Sequence, residues 1–277
     1  GNAIRAVPRG TTDKRPVRER ARMITLASDF GSPYPAAMRG VLLRRDPDAR
    51  LVDVSHEFPR QDVRAAAFWL RELLPYFPPA VHLVVVDPGV GTDRAALAVK
   101  AGEHAFVAPD NGVVVPAARE LLADDGSLRA WRIEDADAAS STFHGRDVFA
   151  PAAGELHRLG FGEFTDRVGA ERVDEFEDLT LPAASPTESG AVGEVLTVDD
   201  FGNVITNVPG RVLDGVETVR VNDREVPAVE TFARVPTGQW LATVGSHGYV
   251  ECDVNQGRGD RAFDLEPGDD VRVDRVE

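Results

Sequence analysis

The stretch VHLVVVDPGVGTDR, Val81 to Arg94, sets the architecture. Its first six residues are almost continuously apolar, the pattern of a strand covered on both faces, and such strands belong to parallel sheets flanked by helices. The strand delivers Asp87 to its carboxyl end, where a glycine loop follows. Working outward toward the N-terminus, Ile24 to Ser28 reads as a strand ending in Asp29-Phe30-Gly31, Ala36 to Arg45 as a helix, and Leu51 to Val54 as a short strand ending in Ser55-His56. Strand, helix, strand is the opening of a parallel sheet. Asp62 is placed to cap the next helix, in which Val63, Ala66, Ala67, Leu70, Leu73 and Leu74 recur at helical spacing until Pro75 and the Pro78-Pro79 pair stop it. On the other side, Ala95 to Lys100 and His104 to Val107 predict two more strands. A helix through Val113 to Leu122 follows, and another through Val148, Ala152, Leu156 and Leu159 has Pro151 in or near its first turn.

The pattern changes near Leu181. LPAASPTESG is rich in Pro, Ser and Gly and reads as a linker, beyond which short strands succeed one another with no convincing helix. Asn222-Asp223 sits where a tight hairpin turn is expected. The expected organisation is an α/β domain over residues 23–183, built on a mainly parallel sheet, and a smaller all-β, barrel-like domain over 184–277. Residues 1–22 differ from both. Seven basic residues lie there among Gly and Pro with almost no apolar side chains, which predicts a disordered basic extension or tag outside the fold.

A chain of 277 residues can bury a large core. Its formal charge of -15 argues against nucleic acid or an anionic membrane surface as the main partner, because either would repel most of the protein. A small-molecule substrate is expected instead. Lysine occurs only at Lys14 and Lys100, an acidic, lysine-poor balance that resembles proteins of salt-loving organisms. The single cysteine, Cys252, excludes an internal disulfide and any multi-cysteine metal site, and no apolar run approaches membrane-spanning length. A cytoplasmic location is the expectation.

In an open parallel sheet the carboxyl ends of the strands form the binding edge, which gathers Asp29, His56 and Asp87. Taken singly, each also reads as an ordinary turn or loop residue. DPGVGTDR lacks both the G-x-G-x-x-G pattern and the G-K-[ST] ending, so it is not a nucleotide phosphate loop. Asp29, Asp53, His56, Asp87 and His144 are suitable ligand types for a divalent ion, but they come without metal-binding spacing, and no metal is expected.

Taken in order, ITLASDFG, LVDVSHEF, FPPAVHLVVVDPGVGTDR, APDNGVV, SSTFHGRDVFAPAA, VDDFGNVITN and VGSHGYVECDVNQG resemble the motifs of the S-adenosylmethionine hydroxide adenosyltransferase family, a relative of the enzymes that make fluoro- and chloro-adenosine. The match runs from Met23 to the C-terminus. The resemblance implies hydrolysis of S-adenosylmethionine to adenosine and methionine without a cofactor. It also implies a homotrimer with active sites between the α/β domain of one subunit and the β domain of the next. The family's triad around the attacking water maps onto Asp87, Arg94 and His144. Where the related halogenases carry a tyrosine this chain has Asp87, and where they carry a Tyr-Ser pair it has His144-Gly145.

By the same resemblance Asp29 receives the ribose hydroxyls, Asp199 and Asn203 hold the methionine ammonium, and Ser246 holds its carboxylate. Phe143, Gly145 and Phe201 line the sugar and methionine chain, and backbone groups near Val254 and Gln256 read adenine. Two departures stand out: the loop after Asp29 is shortened to GSPYP, and His247 replaces the serine or arginine frequent in relatives. A 5′-halogenase and a non-catalytic S-adenosylmethionine or adenosine sensor stay open as alternatives.

Overall fold

The computed structural model describes residues 23–92, 94–122, 126–133 and 143–276. The basic segment 1–22 lies outside the described residues. The first part of the chain runs β1 (Met23–Ser28), α1 (Tyr34–Arg45), β2 (Arg50–Ser55), α2 (Val63–Leu73), β3 (Val81–Val85), β4 (Ala96–Ala101), β5 (His104–Pro109), α3 (Val115–Glu120), β6 (Arg129–Ile133), α4 (Ala150–Leu159), α5 (Phe161–Arg167) and β7 (Glu171–Val173). Its strands form one sheet in the order β2-β1-β3-β5-β4-β6-β7. The first four run parallel, as the apolar β3 predicts, and β4, β6 and β7 extend the sheet antiparallel.

Alternation along β3 explains the layering. Val81, Leu83 and Val85 join Ile24, Leu26, Met38 and Leu156 in the core beneath α1 and α4. Val84 and Val86 join Phe106, Leu70 and Val113 beneath α2 and α3. Each fully buried leucine or valine of this kind contributes about 1.5–3 kcal/mol relative to exposure. Asp62 caps α2 by accepting from the Ala65 amide at 2.9 Å, and Pro75 falls in the 3-10 turn that ends the helix. From β1 the chain passes to β2 on one flank and then to β3 on the other. The crevice between the carboxyl ends of β1 and β3 is therefore the topological switch point of the sheet, where ligands bind in open α/β folds.

The second part comprises β8 (Ser185–Pro186), β9 (Gly190–Val198), β10 (Val204–Pro209), β11 (Thr218–Val221), β12 (Arg224–Pro227), β13 (Trp240–Val244), β14 (Tyr249–Val254), α6 (Gly259–Phe263) and β15 (Asp270–Arg275). Its sheet runs β12-β11-β15-β9-β10-β14-β13, with β8 added beside β9, and an Ala228–Ala242 bridge brings the outer strands together into a nearly closed barrel. Asn222 adopts φ 53° in the β11–β12 turn, the left-handed conformation a two-residue hairpin requires. Two details correct the sequence reading. The supposed linker contributes β8, and the five-residue α6 interrupts the strands, seated so closely on β14 that a Cβ at Gly259 would lie 2.1 Å from the Cys252 carbonyl oxygen.

The two parts dock through α2. Phe68 packs with Leu196 and Ile205, Arg71 donates to the Tyr249 hydroxyl at 3.0 Å, and Arg64 pairs with Glu194. No helix among the described residues is long and apolar enough to cross a membrane.

Candidate active site

Asp29 directly follows β1 and Asp87 lies two residues past β3, so the two carboxylates flank the switch point. Asp87 is the more deeply set, with 2% of its side chain exposed. One oxygen accepts from the Gly89 amide at 3.1 Å, and the other pairs with a terminal nitrogen of Arg94. The intervening loop is self-contained: the Thr92 hydroxyl donates to the Gly89 carbonyl at 2.7 Å, Gly91 takes φ 81°, and a terminal nitrogen of Arg94 donates to the Ala95 carbonyl at 2.6 Å. Arg94 Nε is buried with no acceptor among the described residues, and the guanidinium carbon lies 5.3 Å from the centre of the Phe149 ring. Asn111, which the sequence reading did not single out, anchors the end of β3 by donating to the Val86 carbonyl at 2.9 Å.

Phe149 belongs to a π-helical turn, Gly145–Phe149, that leads into α4 and begins directly after His144. His144 stands at the N-cap of that turn without a side-chain capping hydrogen bond. A Cβ on Gly145 would stand 3.1 Å from both the Met38 sulfur and the Phe143 ring and 3.4 Å from Val85, two residues before Asp87. Gly145 and Phe149 thus seat the His144 turn against the end of β3 and against Arg94. No hydrogen bond joins His144 to Asp87 or Arg94 among the described residues. Arg146 and Asp147, the next two residues of the motif, form a two-pronged pair at 2.6 and 2.9 Å, and the Arg146 hydrogen bond holds the Asp147 carboxyl below its ordinary value.

Phe143 meets Phe30 and Tyr34 edge to face, with centroid separations of 6.0 and 5.6 Å. Tyr34, the first residue of α1, is thereby part of an aromatic trio beside Asp29. Asp29 itself accepts from the Gln61 amide at 2.6 Å. Among the described residues no three His, Cys, Asp or Glu side chains converge as a metal site.

The remaining candidates lie on the barrel. Asp199 and Asn203 bond to each other, the Asn203 backbone and side-chain amides donating to the two carboxylate oxygens at 2.9 and 3.0 Å. The turn they close holds up Phe201, which is 78% exposed. Ser246 is exposed in the β13–β14 turn. His247 points elsewhere: its ring packs edge-on against Phe68 and Trp69, and Nδ1 lies 3.5 Å from Glu72, so this departure from the family pattern belongs to the docking face of α2. Val254 is buried, its carbonyl accepting from the Gly257 amide at 3.0 Å across Gln256, which takes φ 56°. Two acids unremarked in the sequence sit on the same strand. Burial and the nearby Asp199 push Glu251 up to about 7. Burial, Glu251 and Asp199 push Asp253 up to about 8, and no side-chain donor reaches either of its oxygens. No hydrogen bond, ion pair or ring contact among the described residues links this group to Asp87, Arg94 or His144 of the same chain.

Comparison with known proteins agrees across the chain. The S-adenosylmethionine hydroxide adenosyltransferase N-terminal domain matches residues 24–164 and its C-terminal domain residues 193–272. A protein of Salinispora tropica named (R)-S-adenosyl-L-methionine hydrolase is 41% identical over 257 residues, covering 90% of this chain and 97% of its own. A fluorinase of Actinopolyspora mzabensis is more distant, 25% identical over 298 residues with 91% and 97% covered. A crystal structure of an uncharacterized conserved protein from Thermotoga maritima superposes with a TM-score of 0.78 at 34% identity, over 91% of this chain and all of that one.

Proposed function

Because the chain belongs to the S-adenosylmethionine hydroxide adenosyltransferase family, we propose that it hydrolyses S-adenosylmethionine to adenosine and methionine by attack of water at the ribose C5′. The chemistry asks little of the leaving side. Methionine departs from a sulfonium as a neutral thioether, so it needs neither a proton nor a Lewis acid. Water is the difficult partner, a poor nucleophile until it is positioned and relieved of a proton. The observation that carries the reading is the buried Asp87–Arg94 pair at the switch point, with Arg94 Nε uncommitted and the His144 turn packed beside it. In this reading Asp87 and His144 orient and deprotonate the water, and Arg94 fixes the carboxylate and favours hydroxide character. General-base assistance of this kind contributes on the order of a hundred- to ten-thousand-fold.

Asp29 receives the ribose hydroxyls, with Phe143 and Gly145 bordering the sugar. Asp199, Asn203 and Ser246 take the amino-acid end, Phe201 covers the methionine chain, and backbone near Val254 and Gln256 reads adenine. By the family resemblance a second copy completes each site in a homotrimer, a reading supported by the lack of any hydrogen bond, ion pair or ring contact among the described residues between the barrel residues and the triad of their own chain. The exposed Phe201 supports this arrangement, because an aromatic ring held in water at the tip of a fixed turn is a ready interface contact. A buried carboxylate at Asp87 also makes a poor neighbour for a halide, which favours water over chloride as nucleophile.

Incubation with S-adenosylmethionine in heavy-oxygen water, with and without chloride, tests the proposal by mass spectrometry. The expected product is adenosine labelled at the 5′ oxygen, lost in His144→Ala. A chlorinated nucleoside would identify a halogenase, and tight binding without turnover a sensor.

A further inference from the structure

We propose that His56 is a positioning residue for Asp29, acting through the segment 56–61. The proposal rests on the reading of Asp29 as the ribose-diol acceptor. The Asp29 carboxylate receives the Gln61 amide at 2.6 Å, and Gln61 holds φ 60° to deliver it. A left-handed backbone at a residue other than glycine persists only where its surroundings over-determine it, at a strain on the order of 1–3 kcal/mol. The surroundings here are specific. The Gly31 amide donates to the His56 carbonyl at 2.9 Å, the Phe58 amide approaches the Ser28 carbonyl at 3.4 Å, and the Phe58 side chain is buried in the core beneath α2.

The His56 ring fastens the start of this segment. Its Nδ1 lies 2.6 Å from Ser28 Oγ and its Nε2 lies 3.1 Å from Asp53 Oδ1, and Asp53 also pairs with Arg39. Burial opposes ionisation of Asp53 but is outweighed by the hydrogen bonds from Arg39 and His56, which keep its carboxyl below the ordinary value. An ionised carboxylate only accepts, so the contact with Asp53 places a proton on Nε2, and the Arg39 terminal nitrogen 3.4 Å from Nε2 serves Asp53 and not the ring. A register shift between Leu26 and Ala27, where the β1–β2 pairing steps from Asp53 to Ser55, puts these groups within reach of one another.

The series hydroxyl, imidazole, carboxylate is also that of a hydrolytic nucleophile, but the exposure runs the wrong way. Ser28 is wholly buried while the Asp53 side chain is 41% exposed. What the series does reach is the residue next to Ser28, which is Asp29. A carboxylate that must meet two hydroxyls at once depends on the setting of its plane, and the Gln61 amide supplies that setting only while the segment is held.

The test is a cycle between residue and substrate, measuring kcat and KM for S-adenosylmethionine and for its 2′-deoxyribose analogue. His56→Leu is expected to lower kcat/KM for the natural substrate by on the order of tenfold or more, yet to change that for the analogue by less than about twofold. His56→Gln, which keeps a donor and an acceptor, restores most of the loss. Asp29→Asn runs alongside. If Asp29→Asn discriminates between the substrates and His56→Leu reduces both equally, or neither, the positioning role is wrong while the diol reading stands. If Asp29→Asn fails to discriminate, the diol reading falls and takes the proposal with it. Asp53→Asn, which weakens the series from its exposed end, replaces His56→Leu should that variant not fold, and an equal effect on both substrates there also overturns the proposal.

Discussion

Strand β1 carries two hydroxyl groups that each meet a histidine, and the two pairs have opposite fates. Toward the amino end, Thr25 Oγ1 lies 2.7 Å from His82 Nδ1, and His82 Nε2 lies 2.9 Å from His104 Nδ1, with the two rings stacked. Toward the carboxyl end, Ser28 meets His56, which leads to the exposed Asp53. The first series is sealed: burial, with His104 adding to it, pushes His82 down to about 3, so it stays neutral across physiological pH. The series ends at His104, at the amino end of β5 and so at the edge of the sheet opposite Asp29 and Asp87. The second ends in the exposed Asp53–Arg39 ion pair on the outer strand β2, on the far side of β1 from the switch point. The difference teaches that a buried polar series takes its role from where its last member ends. In the core it satisfies polar atoms that a strand face would otherwise strand, and at the carboxyl edge, in the role proposed for His56, it transmits position.

The largest effect expected from breaking this contrast lies at the binding edge. Asp87→Asn keeps the shape of the side chain but removes its charge, leaving Arg94 buried opposite a neutral amide. Hydrolysis is expected to fall on the order of a hundred- to ten-thousand-fold in kcat with KM little changed, measured by adenosine release. A fall confined to KM would move Asp87 from the chemistry to substrate binding.

His82→Leu attacks the sealed series and should read out in the opposite way. It leaves Thr25 Oγ1 and His104 Nδ1 without their partner in a buried setting, which costs about 1–3 kcal/mol of stability per unsatisfied group. Denaturant unfolding reports that loss, while kcat per folded molecule stays at the wild-type value. The pH dependence follows with a definite sign. A histidine whose folded value is lowered contributes stability that is complete above the unfolded value near 6.5 and is lost as pH falls from there toward about 3. The wild type should therefore weaken over that acidic window more steeply than His82→Leu.

Much of the frame was legible because it rests on local signals. The continuous apolar run of β3, the Asp62 cap and the Pro75 stop each act within a few residues, and the structure uses all three. The strand ends also placed Asp29, His56 and Asp87 past the carboxyl ends of β1, β2 and β3, where the structure has them. What escaped depends on contacts distant in sequence. The Asp29 amide partner at Gln61 needs a positive φ that no residue type announces outside glycine and asparagine. The use of His247 against α2 is visible only when the two parts of the chain are docked. Asp253 follows Cys252 and precedes Val254 in a strand, and alternation alone would face it to solvent, whereas the nearly closed barrel and α6 leave no open face there.

That last residue supplies the gentlest and most diagnostic contrast, because its linkage runs against that of His82. A carboxyl raised to about 8 contributes stability that is complete below its unfolded value near 4 and is lost as pH rises through the folded value. Glu251, raised to about 7, acts in the same sense. Between the unfolded acid values and 6.5 the barrel therefore loses stability with rising pH while His82 gains it, and above 6.5 only the loss remains. Asp253→Asn keeps the volume and cannot ionise. Its stability, followed by thermal unfolding at a series of pH values, should lack a slope of about 1.4 kcal/mol per pH unit that the wild type shows between pH 6.5 and 8. Parallel curves for the two proteins would mean that Asp253 is ionised in the fold, with the Val204 amide, which favours the charged form, outweighing its burial.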